Sequence, residues 1–95
     1  MKTHIMDSRR TELKSQTNIV LDYSLIITDK KEYDLFEEEK VYSVLILQIE
    51  DGITTEYDFL YDIAREEENA VAILDLLVYN NVMPTNARDV LADIL

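Results

Sequence analysis

The side chains that could carry out acid–base or metal chemistry in this chain are almost all carboxylates. The chain has 20 aspartates and glutamates, a single histidine (His4) and no cysteine. These counts exclude disulfides, thiolate metal sites, thiol nucleophiles and any cluster or triad that needs several histidines. The four serines stand in no motif with a base, and one glycine cannot form a phosphate-binding loop. We therefore expect no catalytic residue, no metal and no cofactor.

Three groups of carboxylates are worth weighing as sites. Residues 37–39 and 66–68 are runs of three glutamates, and neither run has the spaced oxygen ligands of a calcium loop. Glu56, Asp58 and Asp62 would share a face if they lie on one strand. A hydrolase with paired carboxylates would need a cleft there, and a small sheet is hardly concave. We expect a protein that is not an enzyme, and a small hydrolase is the least favoured alternative.

The negative charge lies mostly in the C-terminal two thirds of the chain. The net charge is −11: residues 1–31 hold six Lys/Arg against four Asp/Glu, and residues 32–95 hold three against sixteen. So acidic a body repels phosphate backbones and anionic membranes, which argues against nucleic-acid and membrane binding. The acids serve solubility, or they form a face that binds a basic protein and mimics nucleic acid.

No stretch is long and apolar enough to predict a membrane span or a secretory signal. A span needs roughly 18–20 apolar residues, and the N-terminal residues 1–18 are polar. We expect a cytoplasmic protein with one domain, residues 18–95, preceded by a flexible or loosely docked tail, residues 1–17.

Alternation of apolar and polar residues predicts three strands. In the segment NIVLDYSLIIT, residues 18–28, apolar side chains occupy every second position. A charged connector, residues 29–40, leads to a hairpin around Asp51 and Gly52. A two-residue turn would place Leu47 opposite Glu56, whereas a three-residue loop places Leu45 opposite Tyr57 and groups the apolar residues on one face. We therefore predict the three-residue loop, with that face inside the protein.

This register leaves an apolar stripe with acidic neighbours on the outer face of the sheet. An exposed stripe of this kind indicates a contact with a partner or a second copy, unless the tail or the connector covers it. The predicted partner-binding residues are Tyr42, Val44, Ile46, Glu56, Asp58 and Leu60.

The remaining residues have the period of helices. The segment from Arg65 to Asn81 places Ala70, Ile73, Leu74 and Leu77 on one side, and Pro84 prevents its continuation. A second, shorter helix follows. The predicted fold is α+β: a three-stranded antiparallel β-meander followed by two C-terminal helices packed on one face.

The C-terminal segment NNVMPTNARDVLADIL, after a meander that begins with YSLI, resembles a short uncharacterised family from Clostridium-like bacteria. Its members have an Asn-Val-x-Pro turn followed by an Arg-Asp-Val helix. The resemblance covers residues 18–95 and implies an intracellular protein of unknown function, with no catalytic residues to carry over.

Together these patterns predict a non-enzymatic intracellular protein-interaction module that forms a homodimer through the outer sheet face. The alternative is an acidic nucleic-acid mimic or inhibitor that binds a basic protein through Glu56, Asp58 and Asp62.

Overall fold

The computed structural model describes residues 2–13, 18–31 and 38–94. It contains four strands followed by two helices. The strands are β1 (Lys2–Leu13), β2 (Ile19–Lys31), β3 (Glu38–Glu50) and β4 (Ile53–Ala64); the helices are α1 (Glu67–Tyr79) and α2 (Ala87–Ile94). The strands form one antiparallel sheet in the order β1-β2-β3-β4. This confirms the α+β class and the two C-terminal helices, but the predicted number of strands was wrong.

The additional strand, β1, lies in the segment predicted as a tail. It pairs with β2 from Lys2 opposite Asp29 to Leu13 opposite Ile19, with one irregularity between Ile5 and Asp7. The extra residue there, Met6, packs on the core. Arg9 hydrogen-bonds to Asp7 on its own strand and to Asp75 on α1, so it ties the strand to the helix. The Asp75 carboxylate raises the pKa of the Arg9 guanidinium above its usual value.

The hairpin between β3 and β4 has a two-residue turn, which corrects the predicted three-residue loop. Glu50 pairs with Ile53, and the two turn residues both have positive φ, 51° at Asp51 and 81° at Gly52. This is the type I′ geometry for which Asp-Gly is a preferred sequence. Thr55 then forms a bulge, because Ile49 pairs with Thr54 whereas Gln48 pairs with Glu56.

A second irregularity interrupts β4 near its end. Val44 pairs with Leu60 but Tyr42 pairs with Ala64, so the β4 strand has two extra residues there. Asp62 adopts a φ of 55°, and its N–H donates to Ser43 Oγ at 3.2 Å. The irregularity lets Leu60 and Ile63, an odd number of positions apart, both reach the core.

The two helices cover the face of the sheet that we call the core face. On β2 the predicted alternate residues do lie there: Leu21, Tyr23 and Leu25 are fully buried. Their partners on β3, which share the face, are Gln48, Ile46 and Val44. The helix α1 contributes the predicted apolar side, Ala70, Ile73, Leu74 and Leu77. The prediction therefore chose the wrong face of β3 as the covered one.

The connection between the helices is fastened to the sheet by a buried hydrogen bond. Asn81 ends α1 in the left-handed region, at φ 50°, and Val82 N–H donates back to the Leu77 carbonyl at 3.0 Å, a Schellman ending with asparagine in the place of glycine. The carbonyl of Val82 accepts a hydrogen bond of 2.9 Å from the Tyr23 hydroxyl. Burial raises the pKa of Tyr23 to about 12, so the phenol stays a donor at neutral pH.

Candidate interaction surface

The face of the sheet opposite the helices, here called the outer face, is divided into an apolar patch and a polar strip. The apolar patch lies on β3 and β4 and consists of Leu45, Leu47, Ile49, Tyr57, Phe59 and Tyr61. The polar strip lies at the centre of β1 and β2 and consists of Ser8, Arg10, Glu12, Asp22 and Ser24; Ile5 and Ile26 flank it towards one end and Val20 towards the other. Directly paired residues of antiparallel strands share a face, and this rule assigns the members.

The apolar patch is built by the hairpin register. Leu45 pairs with Phe59 and Leu47 pairs with Tyr57, which brings an aliphatic and an aromatic side chain together twice. Phe59 and Tyr61 also touch, with ring centroids 6.2 Å apart. The aromatic rings remain open to water: Tyr57 is 70% exposed, Tyr61 53% and Phe59 38%. The aliphatic members on β3 are half-buried between their neighbours.

The polar strip contains an ion pair between neighbouring strands. Arg10 forms an ion pair of 3.0 Å with Asp22 across β1 and β2, and Ser8 lies opposite Ser24. Asp22 is in turn the β2 neighbour of Leu47, so the strip begins one strand away from the centre of the patch. Covering the strip would remove this ion pair from water, which costs free energy, whereas covering the patch removes mainly apolar area.

The structure places four of the six predicted partner-binding residues in the core. Val44 and Ile46 are fully buried, Leu60 is 1% exposed and Tyr42 6% exposed. The prediction put them outside because both sides of β3 are apolar, and alternation within one strand does not tell which side the helices cover. Glu56 is exposed, and it is the only one of the six that is. Tyr57, on the side of the hairpin predicted to lie inside, is 70% exposed.

The three carboxylates expected to converge do not form a cluster. Asp58 is bound by Arg88 of α2 at 3.0 Å, and the same guanidinium donates to the Phe59 carbonyl at 3.3 Å. The irregularity in β4 separates Asp62 from the simple alternation that would align it with Asp58. Among the residues that the structure describes, no three His, Cys, Asp or Glu side chains are grouped to hold a metal ion.

The comparisons with known proteins give a family. A model of a family of unknown function, DUF6514, matches residues 2–95. The chain belongs to this family. The match includes β1 and therefore begins well before the residues that carried the sequence resemblance. No curated protein and no solved structure matches the chain, and no helix in the described ranges is long and apolar enough to cross a membrane.

Proposed function

We propose that this DUF6514 protein is a non-enzymatic protein-interaction module that self-associates through the apolar patch of its outer face. The observation that carries the proposal is the exposure of Tyr57 beside Phe59 and above Leu47. Soluble monomers expose single apolar side chains routinely, but a contiguous aromatic and aliphatic patch indicates an interaction site.

The size of the patch supports a modest dimer. Aromatic side chains offer about 150–250 Å² each, so the three rings at their exposures present roughly 300 Å². With the aliphatic residues, two copies would bury a total near 1,000 Å², about the lower limit for a specific interface. At about 25 cal/mol per Å² this area is a substantial apolar driving force, reduced by the cost of association.

The charge distribution permits two copies to meet at this face. The chain carries a net charge of −11, yet the outer face holds three described charged side chains, Arg10, Glu12 and Asp22, and two of these are paired. The acidic residues of α1 and α2 lie on the helix side of the sheet. Two acidic chains still repel at long range, so self-association should strengthen as added salt screens this repulsion.

Sedimentation velocity on the full chain tests the proposal. We expect the wild-type protein to show a concentration-dependent dimer at tens of micromolar, and Tyr57→Ser to shift it to monomer. Tyr79→Ser is the matched control, because Tyr79 is even more exposed, at 85%, but lies on α1. A wild-type chain that stays monomeric across this range, or equal effects of the two substitutions, would overturn the proposal.

The dependence of binding on salt separates self-association from the acidic-mimic alternative. A mimic that captures a basic protein would bind less well at high salt, whereas an apolar dimer would not. The pairing of Asp58 with Arg88 leaves the mimic with fewer free carboxylates than the sequence suggested. The proposed location is the cytoplasm, in keeping with a chain that has no cysteine.

A further inference from the structure

We infer that the second copy docks isologously, patch on patch, with the two-fold axis over the Leu47–Tyr57 pair and the polar strips left in water. This inference rests on the proposed function and adds the geometry of the complex. It predicts two sheets stacked face to face between outer layers of helices. The alternatives are joining of two sheets through an edge strand and full overlap of the outer faces.

Edge-to-edge pairing is disfavoured by the irregularities of both edge strands. β4 carries the bulge at Thr55 and two extra residues between Leu60 and Ala64, and β1 carries the irregularity at Met6. Bulges interrupt the row of N–H and C=O groups that another strand would need for pairing, and they are a common protection of sheet edges. The uninterrupted part of the β4 ladder runs only from Glu56 to Leu60. That of β1 is longer, Asp7 to Leu13, and its charged side chains, such as Arg10 and Glu12, are what oppose pairing there.

Full overlap of the outer faces is disfavoured by the polar strip. With the axis between β2 and β3, the polar strip on β1 and β2 of one copy would lie against the aromatic residues of β4 of the other. This arrangement buries the Arg10–Asp22 ion pair, which is now partly in water, and the desolvation of both charges opposes it. With the axis between β3 and β4, Tyr57 and Phe59 instead contact the aliphatic members of the apolar patch, and the aromatic rings, of the second copy.

An isologous axis has a simple geometric consequence. A residue close to the axis lies close to the same residue of the second copy, whereas a residue on a distant strand does not. Facing sheets lie about 10 Å apart, which is beyond the reach of a direct disulfide, so a short bismaleimide is the appropriate reagent. Because the natural chain has no cysteine, each single-cysteine variant can link only through the introduced residue.

Three variants of the full chain decide the geometry: Leu47→Cys on β3, Tyr57→Cys on β4 and Ser8→Cys on β1. Leu47→Cys and Tyr57→Cys each remove a patch side chain and so weaken association, and they are treated at a raised protein concentration at which each still sediments partly as a dimer. We expect both to be converted into covalent dimers there, and Ser8→Cys to stay unlinked. Each variant is sedimented before the reagent is added, which shows whether it still associates.

The other outcomes each overturn the inference in a distinct way. Linking of Tyr57→Cys alone would indicate pairing through the β4 edge, and linking of Leu47→Cys alone would place the axis between β2 and β3. If none of the associating variants links, the copies meet through another surface. A wild-type chain that sediments only as a monomer is a different result, because it would remove the proposed function itself.

Discussion

Both faces of this sheet carry apolar residues on β3, and the two helices cover only one of them. On β3, Ile46 and Leu47 are consecutive residues that point to opposite sides: Ile46 is fully buried under the helices, and Leu47 is half-buried in the outer patch. An antiparallel sheet with helices on one side usually exposes a polar opposite face. Here the centres of β1 and β2 follow that rule on the outer face, although Ile5, Val20 and Ile26 flank them, and β3 and β4 do not. The departure from the rule is largest on the hairpin, where we propose the interaction surface.

The difference between the faces also appears in their tyrosines. Tyr23 on the core face is fully buried, and its hydroxyl donates a hydrogen bond to the Val82 carbonyl. Tyr57 on the outer face is 70% exposed, in a position where its ring contributes no comparable burial to the folded monomer. Tyrosine combines an apolar ring with a polar tip, and this makes it frequent at protein interfaces. A residue type that closes the core on one side of the sheet is thus available for binding on the other.

The largest expected effect comes from substituting the consecutive pair on β3. Ile46→Ala should lower the free energy of unfolding by about 2–5 kcal/mol, because it leaves a cavity between the sheet and α1. Leu47→Ala should lower it by about 1 kcal/mol or less in the monomer, because its side chain is already in contact with water. Urea denaturation at low micromolar concentration measures both.

The same pair should respond oppositely in an association assay. Leu47→Ala is expected to weaken the dimer, whereas any Ile46→Ala protein that remains folded should keep it. Equal losses of stability from the two substitutions would mean that both faces are covered in the folded chain. The contrast between a covered core face and an uncovered outer face would then not hold.

Several parts of the fold followed from local patterns. The alternation of β2 and the helical side of α1 were predicted residue by residue, because each element has one strongly apolar side and one polar side. The hairpin shows where local reasoning fails. Side-chain parity correctly grouped Leu45 with the β4 aromatics, but the grouping is produced by a two-residue turn plus the bulge at Thr55. A two-residue turn followed by a bulge places the same side chains on each face as a three-residue loop does. Side-chain parity therefore cannot distinguish the two arrangements.

Neither the covered face of β3 nor the presence of β1 could be predicted from the residues of one segment alone. Which side of β3 is inside depends on its register with β2, where Tyr23 lies opposite Ile46, and the pattern within β3 is apolar on both sides. β1 shows no steady alternation because it is a polar edge strand whose sequence is shifted by the irregularity at Met6. The mistaken site followed from the mistaken face: its residues were found as an apolar stripe, but the stripe belongs to the core.

The next expected effect concerns the buried tyrosine of the core face. The ordinary pKa of a tyrosine is 10.0, and in the folded protein that of Tyr23 is about 12. The unfolded chain therefore releases this proton first, and the stability contributed by the neutral phenol is complete below pH 10 and declines as the pH rises towards 12. The total loss should be about 2–3 kcal/mol.

Comparison with Tyr23→Phe isolates this contribution from other groups that titrate at high pH. At neutral pH the variant should be less stable by about 1–2 kcal/mol, since the buried Val82 carbonyl loses its donor. Between pH 10 and 12 its stability should fall less steeply than that of the wild type. Parallel curves for the two proteins, measured by urea denaturation at each pH, would show that Tyr23 does not stay neutral in the fold.

The smallest expected effect is at the turn that sets the β3–β4 register, Asp51-Gly52. A Cβ at Gly52 would meet no atom within 4 Å, so the only cost of a side chain is its positive φ of 81°. For a β-branched residue in the left-handed region this cost is roughly 1–2 kcal/mol, and for asparagine it is smaller. Gly52→Val should therefore destabilise the protein more than Gly52→Asn, with thermal melts as the measurement.

The turn variants also test the comparison between the faces, because a changed register changes which side chains meet water. In the structure, nuclear Overhauser contacts should join Glu50 to Ile53 across the turn and Leu47 to Tyr57 beyond the bulge. Gly52→Asn should keep both contacts, since asparagine accepts the type I′ geometry. Were Gly52→Val to keep the second contact and lose the first, the strain would be confined to the turn and the patch would survive. Loss of both contacts would mean that the turn, and not the packing of Ile46 and Leu60 against the helices, holds β4 in register. The outer patch would then depend on two residues that lie outside it.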